Sequence, residues 1–574
     1  MASAQARDGA SPPNGRPIGR VRGTAPRVGR RAPWAGVALI GIVVATALLR
    51  LRLLDVPLDR DEGEFAYMGQ LILSGAVPYV AAQNMKLPGA YYAFAGIFAA
   101  LGETTAAIRV ALLVANAIAI VLVARLGRRL VDATAGVAAA AAFALLSLGP
   151  AVLGFAAKAE QFAVPCVLGG VLLLLGRPPT EREDEAAGTA ALAASGLLLG
   201  IAVVLKQHAA VFVAFGGAQL LRSELRRDGG SETAGAALAD RLRGAAGRML
   251  VFAVAASAPY AIVCFAMWRA GAFEPFWFWT VTYAREYATM VPLRDGLAQL
   301  AIETARIFGS TPALWLLAAG GTTAPLWDDR ARRAAPALAL FSLFSVLAVV
   351  TGFRFSSHYF VFLLPAASLW AGLAVSALAE RAEGRGPVVA AVVRVGLPAI
   401  ALGLSLASER AVLFQLSPAA VARAAYGLNP FPEAVEVARY VRDHSEPEDR
   451  IAVIGSEPEI YFYSGRRAAT TFMYTYPLME PHPFARRMQE EMIAQIDEAR
   501  PRFVVLVNVD TSWTMRPDSF DLVFRWSEKK VNEGYDLVGV AEILPDGRTI
   551  YRWGADAADA EPQSRLRVLV FERR

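Results

Sequence analysis

The chain has 574 residues, of which 55% are hydrophobic and 19% charged, with a mean hydropathy of +0.40. This composition is too apolar for a soluble chain of this length and indicates an integral membrane protein. The formal charge of +6 comes mostly from arginines near the ends of apolar runs, so it reports membrane topology and favours no nucleic-acid partner. The two cysteines lie in separate apolar stretches without metal-ligand spacing, which is typical of small core or lipid-facing residues.

The amino-terminal segment, residues 1–33, is basic and rich in Pro, Gly, Ala and Ser, so we predict a disordered cytoplasmic tail. The next region, 34–408, contains apolar runs near the length of about 20 residues that a helix needs to cross a bilayer. We therefore predict a polytopic α-helical membrane domain with about eleven transmembrane helices. The runs lie at 34–49, 105–124, 133–149, 160–176, 189–205, 207–221, 249–268, 297–318, 335–352, 358–378 and 388–407.

The loops between these runs alternate in arginine content, which indicates orientation. The predicted inside loops around residues 125–129, 177–182, 222–248, 330–333 and 381–385 carry arginines, whereas the alternate, outside loops are much poorer in them. By the positive-inside rule the amino terminus is cytoplasmic, and an odd number of spans places the carboxy terminus outside. We predict a multi-pass protein of the plasma (inner) membrane.

The last region, residues 409–574, is less apolar and changes its hydrophobic period. Residues 451–455, 503–509 and 535–543 read as strands, separated by helical patterns. This alternation predicts a small extracytoplasmic α/β domain. It contains no convincing glycine-rich phosphate loop.

An acidic stretch, LDRDEGEFAYMGQ, follows the first predicted span and carries Asp59, Asp61, Glu62 and Glu64. It lies in the first predicted outer loop. The simplest interpretation is a solvated loop, but other ionisable residues are predicted at the same face, and such groups at membrane depth are costly and usually mark a site. They are Lys86, Lys158 and Lys206, which are the only lysines of the membrane half, with Glu160, His208, Arg354 and His358.

A cavity with carboxylates at one end and cations around it suits the transfer of a sugar from a lipid phosphate. Lysine and arginine match the negative charge that develops on the departing phosphate. An aspartate can act as the base for the acceptor hydroxyl or amine. A divalent cation held by two carboxylates is a further possibility, since hard cations prefer oxygen ligands.

The order of these motifs resembles the GT-C glycosyltransferases. The acidic pair Asp61 and Glu62 is followed by a lysine-proline motif at Lys86, an acidic helix end at Glu160 and a late R-x-x-x-H-Y element from Arg354 to Tyr359. The resemblance covers roughly residues 35–410. It is nearest to the dolichyl-phosphate-mannose protein mannosyltransferase and lipid A aminoarabinose transferase group.

The resemblance implies roles for individual residues. Asp61 is similar to the acidic residue that acts as the base or positions the acceptor, with Glu62 beside it, and Asp59 is the alternative to Asp61. Lys86 is similar to the lysine that contacts the lipid phosphate, although this chain has KLPG where the family usually has KPPL. Glu160 resembles the second acidic residue of the site, and any metal ion is expected at Asp61 and Glu160.

The other residues of this face are predicted substrate contacts. They are Lys158, Arg354, His358, Tyr359, Lys206 and His208, of which the last two are equally consistent with a structural pair capping a helix hairpin. The roles of two aromatic stretches have two interpretations each. Residues 274–287 form either an interfacial aromatic belt or a wall of the site, and residues 457–474 either cover the cavity or form a structural cap.

We therefore predict an enzyme, a polyprenyl-phosphate-sugar-dependent glycosyltransferase (hexosyl- or pentosyltransferase) with an inverting mechanism. Its predicted partners are the lipid-linked donor, a protein, lipid or glycan acceptor, and membrane lipids. The alternative is a transporter or flippase of a lipid-linked saccharide. That alternative predicts ionisable residues through the bilayer midplane and broken helices in symmetric halves, whereas the sequence concentrates them at one face.

Overall fold

The structure is a computed structural model that describes residues 33–175, 188–225, 234–559 and 561–574. The predicted cytoplasmic tail, up to residue 32, lies outside the described residues. The helices up to residue 408 are α1 (Pro33–Leu51), α2 (Arg60–Leu73), α3 (Gly89–Leu101), α4 (Thr105–Leu130), α5 (Ala133–Leu146), α6 (Ala159–Leu174), α7 (Thr189–Leu205), α8 (Ala210–Leu225), α9 (Ala234–Arg269), α10 (Phe273–Trp277), α11 (Ala284–Thr289), α12 (Leu293–Ser310), α13 (Pro312–Thr323), α14 (Asp329–Val350), α15 (Leu364–Glu383) and α16 (Pro387–Ser408).

The predicted spans fall on helices, with one correction. The run at 297–318 is not one helix, because the chain leaves the helical conformation at Thr311 (φ −137°, ψ 57°) between α12 and α13. Pro312 follows, and a proline disfavours the helical conformation of the residue before it. Five of the described helices are long and apolar enough to cross a membrane: α1, α4, the 243–269 part of α9, α14 and α16.

The outward faces of these helices are apolar, as expected where the surroundings are lipid rather than water. Val37 and Ile40 on α1, Phe265 on α9, and Val388 and Val395 on α16 are all exposed. In a soluble protein such patches would be a liability. The exposed apolar faces therefore support the membrane assignment.

Two groups of short helical segments lie beside the spans: α2 with α3, and α10 with α11 and the π-helical segment between them. Helices α2 and α3 occupy the loop between α1 and α4, where no span is predicted. Helices α10 and α11 flank a π-helical segment, Phe278–Tyr283, which realigns the aromatic side chains of this stretch.

The carboxy-terminal region is an α/β domain with a six-stranded mixed sheet in the order β2-β1-β3-β6-β4-β5. The three predicted strands are confirmed as β1, β3 and β4, and β6 runs antiparallel to β3 on one side and to β4 on the other. The elements are α17 (Pro418–Tyr426), α18 (Phe431–Asp443), β1 (Arg450–Ile454), α19 (Glu459–Ser464), β2 (Arg467–Ala468), α20 (Tyr476–Met479), α21 (Ala485–Ala499), β3 (Phe503–Asn508), α22 (Asp510–Trp513), α23 (Leu522–Gly534), β4 (Tyr535–Ile543), β5 (Thr549–Trp553), α24 (Ala555–Ala558) and β6 (Arg567–Arg573).

The α/β domain shares a hydrophobic core with α2 and α3. Phe65 and Tyr67 of α2 pack in the same buried cluster as Ile451 of β1 and Tyr461 of α19. The Tyr67 hydroxyl also accepts a hydrogen bond from the backbone N–H of Ala468 (2.8 Å). The domain is thus joined to the helix that carries the acidic stretch, and this junction positions the site.

Candidate active site

The acidic stretch forms the first turn of α2, and its charges start the helix. Asp59 is the N-cap and accepts a hydrogen bond from the N–H of Glu62 (3.1 Å). The Glu62 carboxylate accepts in return from the Asp59 N–H (3.4 Å), which completes a capping box. This arrangement fixes the direction of every carboxylate in the turn.

Glu62 faces the membrane helices and is fully buried. Its carboxylate pairs with the buried guanidinium of Arg109 on α4, and the two groups form a fork with one contact of 3.1 Å. The N–H of Ala157 also donates to Glu62 (2.5 Å). Glu62 therefore joins α2 to α4 and to the segment before α6, and it does not line the cavity described below.

Asp61 differs from the other three carboxylates because 26% of its side chain is exposed. Two lysine ammoniums bind it: Lys86 lies 2.6 Å from Oδ1 and Lys158 lies 2.7 Å from Oδ2. Lys158 also contacts Asp59 (2.6 Å), and Lys86 contacts the fully buried Glu64. Burial raises the pKa of Asp61, but the charges of Lys158 and Lys86 outweigh burial and hold the pKa well below its usual range.

The loop that carries Lys86 is tied to the turn that carries Lys206. The Gln207 side-chain amide donates to the carbonyl of Met85 (2.9 Å). Gly89, at the start of α3, lies against the end of α7, where a Cβ would come within 2.4 Å of the Val204 carbonyl oxygen. Only glycine fits there, which explains the last residue of the KLPG sequence of this chain.

A second ionic pair lies beside the first. The Lys206 ammonium binds the buried carboxylate of Glu160 (2.7 Å), and His358 Nε2 lies 3.9 Å from the same oxygen. Lys206 and both predicted histidines surround Tyr359: the ammonium is 4.8 Å from the ring centroid, and the ring of His208 packs edge-on at 4.3 Å. The predicted residues of this face are thus brought together.

Arg354 reaches the site from the loop between α14 and α15. Its guanidinium lies over the ring of Tyr287, 3.4 Å from the centroid. Its Nη2 is 3.5 Å from Glu480 of the α/β domain, and Glu480 also accepts a hydrogen bond from Tyr283 (2.5 Å). Burial raises the pKa of Glu480 despite both partners. Glu480 thereby links the aromatic segment to the α/β domain.

These groups surround a cavity of about 520 Å³. Its walls come from the helical bundle, from the aromatic segment around the π-helix and from the α/β domain. The lining residues are Asp61, Lys86, Lys206, His208, Arg354, His358 and Tyr359 from the bundle, Trp279, Tyr283 and Tyr287 from the aromatic segment, and Phe472, Tyr474 and Tyr476 from the α/β domain.

Both open questions on the aromatic stretches receive an answer. In 274–287, Trp279, Tyr283 and Tyr287 line the cavity, whereas Trp277 is exposed, so this stretch has a wall side and an outer side. In 457–474, Phe472 and Tyr474 line the cavity, so its last residues close the site. Sequence reasoning assigned no individual role to these aromatic residues or to Glu480.

The other predicted site residues lie just behind the cavity. Asp59, Lys158 and Glu160 are buried, and like Glu62 they contribute through their partners rather than as lining groups. The predicted divalent cation does not fit this donor set, because both Asp61 oxygens contact lysines and Glu160 is paired with Lys206. In the described part of the chain, no group of three or more His, Cys, Asp or Glu side chains comes together as a metal site.

Residues 86–229 match the family model described as dolichyl-phosphate-mannose-protein mannosyltransferase. Among solved structures, the chain is similar to ArnT from Cupriavidus metallidurans bound to undecaprenyl phosphate, with a TM-score of 0.56 and 15% identity over 94% of this chain and 98% of that chain. The chain has the fold of the GT-C membrane glycosyltransferases. It also matches AglB from Archaeoglobus fulgidus, solved with an inhibitory peptide and a dolichol-phosphate, with a TM-score of 0.49 and 13% identity over 92% and 75% of the two chains.

The resemblance to GT-C enzymes that the motif order predicted is thereby confirmed. Lys86, Lys158, Glu160 and Lys206 fall inside the segment that the family model matches, whereas Asp61 precedes it. Comparison with curated protein sequences finds no significant match. Nothing in these comparisons favours the transporter alternative.

Proposed function

We propose that this GT-C chain transfers a sugar from a polyprenyl-phosphate donor to an acceptor, with Asp61 as the base. The observation that carries the proposal is the meeting of one partly exposed carboxylate with two lysine ammoniums at a cavity of about 520 Å³. The ammoniums match the donor phosphate, and the carboxylate matches the acceptor proton. The structural likeness to ArnT, which was solved with undecaprenyl phosphate, supports this donor class.

The reaction is a single displacement. The acceptor oxygen or nitrogen attacks the anomeric carbon, the bond from that carbon to the phosphate oxygen breaks, and polyprenyl phosphate leaves with the bonding electrons. The acceptor proton passes to Asp61, and the anomeric configuration inverts. Lys86, which lines the cavity, stabilises the charge that develops on the phosphate, which is where electrostatic catalysis is most effective. Lys158 lies behind the cavity and acts through its contacts with Asp59 and Asp61.

Donor binding also prepares the base. In the structure, both lysines contact Asp61, and their charges lower its pKa. A phosphate in the cavity competes for the Lys86 ammonium, so the contact of Lys86 with Asp61 weakens when the donor binds. The pKa of Asp61 then rises towards its usual value, and the carboxylate becomes a better proton acceptor.

The remaining groups have positioning or binding roles in this proposal. Asp59 and Glu62 set the direction of Asp61 through the capping box and the Arg109 pair. Arg354, His358 and Tyr359 line the walls and contact substrate together with Lys206 and His208. Glu160 holds Lys206.

The site faces the extracytoplasmic side in this proposal. Its support is the positive-inside rule, because the predicted loops that carry most of the arginines alternate along the chain with the predicted loops that carry the site residues. The α/β domain closes the cavity from the same side. We place the chain in the plasma (inner) membrane, with a protein, lipid or glycan as acceptor.

The test uses the purified full chain in lipid nanodiscs with radiolabelled polyprenyl-phosphate hexoses and pentoses and a panel of envelope acceptors. We expect polyprenyl phosphate to be released together with a product of inverted anomeric configuration. A retained configuration contradicts the single displacement. Transbilayer movement of intact donor without cleavage supports the transporter alternative.

A further inference from the structure

Resting on the proposed function, we propose that Tyr474 of the α/β domain is a positioning residue for Asp61. Its hydroxyl lies 3.4 Å from Asp61 Oδ1 and donates to the carbonyl of Arg60 at 2.9 Å. The hydroxyl therefore contacts both the side chain of the base and the backbone of the residue before it. No role follows for Tyr474 from the sequence, because it lies 413 residues from Asp61 along the chain.

The α/β domain holds Tyr474 rigidly from both sides. The next residue, Thr475, belongs to a buried hydroxyl network. Its N–H donates to Ser456 Oγ (3.0 Å), and its hydroxyl donates to the Ser512 carbonyl (3.0 Å). On the other side, the Gln83 N–H donates to the Thr471 carbonyl (2.9 Å), which ties the segment before Tyr474 to the loop of Lys86. Such support is what a precise site requires.

The single hydroxyl proton of Tyr474 is shared between the nearer Arg60 carbonyl and Asp61 Oδ1. Among the described residues, Tyr474 is the one uncharged side chain whose hydrogen bond reaches the Asp61 carboxylate; the other two partners of Asp61 are lysines. When the donor phosphate draws Lys86 away, the shared proton of the Tyr474 hydroxyl turns towards Asp61 Oδ1, 3.4 Å away, and holds the carboxylate in place. Burial and then the nearby Glu64 and Asp61 raise the pKa of Tyr474 well above its usual value, so the phenol keeps its proton.

The pH behaviour of Asp61 depends on every charged or titratable group around it. The groups that influence it from neighbouring elements are Asp59, Glu64, Lys86, Lys158, Lys206, Tyr287, His358, Tyr474 and Tyr476. A Tyr474→Phe change alters only one of them and keeps the ring. The charges of the two lysines are unchanged.

The experiment compares Tyr474→Phe with Tyr535→Phe in the full chain in nanodiscs, using the donor that the wild type turns over. Tyr535 is a matched control, because its hydroxyl is also buried and donates to a backbone carbonyl, that of Pro501 (3.0 Å), away from the cavity. We expect Tyr474→Phe to lower kcat by about 10- to 100-fold, the usual effect of one hydrogen bond to a charged group. The donor KM stays unchanged, and the acid limb of the kcat profile moves to higher pH, because a lost donor raises the carboxylate pKa.

Replacement of Tyr474 by 3,5-difluorotyrosine keeps the shape and strengthens the hydrogen-bond donor, so folding is not at issue. We expect the acid limb to move to lower pH. The inference is overturned if the acid limb of the kcat profile is unchanged in both Tyr474 variants, or if Tyr535→Phe loses as much kcat as Tyr474→Phe. In either case, turnover by the wild type leaves the proposed function standing. Absence of wild-type turnover with every donor counts against the proposed function itself.

Discussion

The Lys86 ammonium lies 2.6 Å from Asp61 Oδ1 and also contacts the buried carboxylate of Glu64. Lys158 makes the equivalent link on the other side, between Asp61 and Asp59. Lys86 therefore has one partner that it can release at the cavity, Asp61, and one that holds it in place, Glu64, whereas Lys158 lies behind the cavity and ties Asp61 to Asp59. This geometry separates the acidic stretch into one working carboxylate and three that support it.

Lys86→Met is expected to weaken donor use more than acceptor use. The substitution keeps the length of the side chain and removes the ammonium that we assign to the phosphate, so the donor KM rises about tenfold or more. Initial rates over both substrate concentrations measure this. Lys529→Met is the control, because Lys529 is exposed on α23. If Lys86→Met raises only the acceptor KM, the assignment of Lys86 to the donor phosphate is contradicted.

Glu62→Gln is expected to destabilise the protein rather than disable a correctly folded site. It leaves the Arg109 guanidinium buried without its counter-charge, which typically costs about 3–5 kcal/mol. The midpoint of thermal unfolding in detergent should fall clearly. Asp61→Asn is the control and should unfold near the wild-type midpoint, because Lys86 keeps Glu64 as a partner and Lys158 keeps Asp59. An equal fall of the unfolding midpoint in both variants would contradict the assignment of a structural role to Glu62 and a catalytic role to Asp61.

Gly63→Ala is expected to abolish most activity by moving α2. A Cβ at this position would lie 2.5 Å from the backbone nitrogen of Glu459, so α2 and the α/β domain must separate. Gly96→Ala on α3 is the matched control, because nothing lies within 4 Å of its added Cβ. Transfer rates of both variants, measured beside their expression levels, test the prediction, and full activity of Gly63→Ala would show that this close contact is unimportant.

Glu459→Gln is expected to stabilise the protein more strongly as pH rises. Both carboxyl oxygens of Glu459 are buried and accept no hydrogen bond from another described residue. Burial, and then the charge of Glu457, raise its pKa well above the usual value.

The pKa of Glu459 is higher in the folded protein than in the unfolded chain, so the protonated carboxyl is the form that suits the folded state. The stability that this protonation provides is fully present below the unfolded-state pKa and is lost as pH rises through the folded-state pKa. The variant imitates the protonated form, so its advantage in unfolding midpoint should be larger at pH 8 than at pH 5. A constant difference, or a loss at pH 8, contradicts the prediction.

The helical bundle and much of the α/β domain were predictable from local pattern. Long apolar runs define the spans, and short, largely continuous apolar runs define β1 and β3, which are buried along most of their length. The residues at 567–573 form a central strand, β6, yet its sequence RVLVFER begins and ends in charges, and the pairing with β3 and β4 reveals it. The break at Thr311 had a local signal, since Pro312 follows it.

The division of labour within the acidic stretch was only partly predictable. Asp59 and Glu62 have the spacing of a capping box, which indicates a structural role from sequence alone. The partner of Glu62, Arg109, is 47 residues away, and Tyr474 approaches Asp61 from another domain. Such contacts depend on how α4 and the α/β domain pack, which no local pattern encodes.

The most direct test of the account is single-turnover sugar transfer by Asp61→Asn at saturating donor, beside the wild type and Asp55→Asn. Asp55 is exposed and lies six residues earlier, so it controls for the loss of a carboxylate in the same loop. We predict that Asp61→Asn binds donor but transfers at less than about 1% of the wild-type rate, in line with the 10²- to 10⁴-fold contribution of a general base, whereas Asp55→Asn keeps full activity. Transfer by Asp61→Asn at the wild-type rate would contradict the central claim and place the base elsewhere in the cavity.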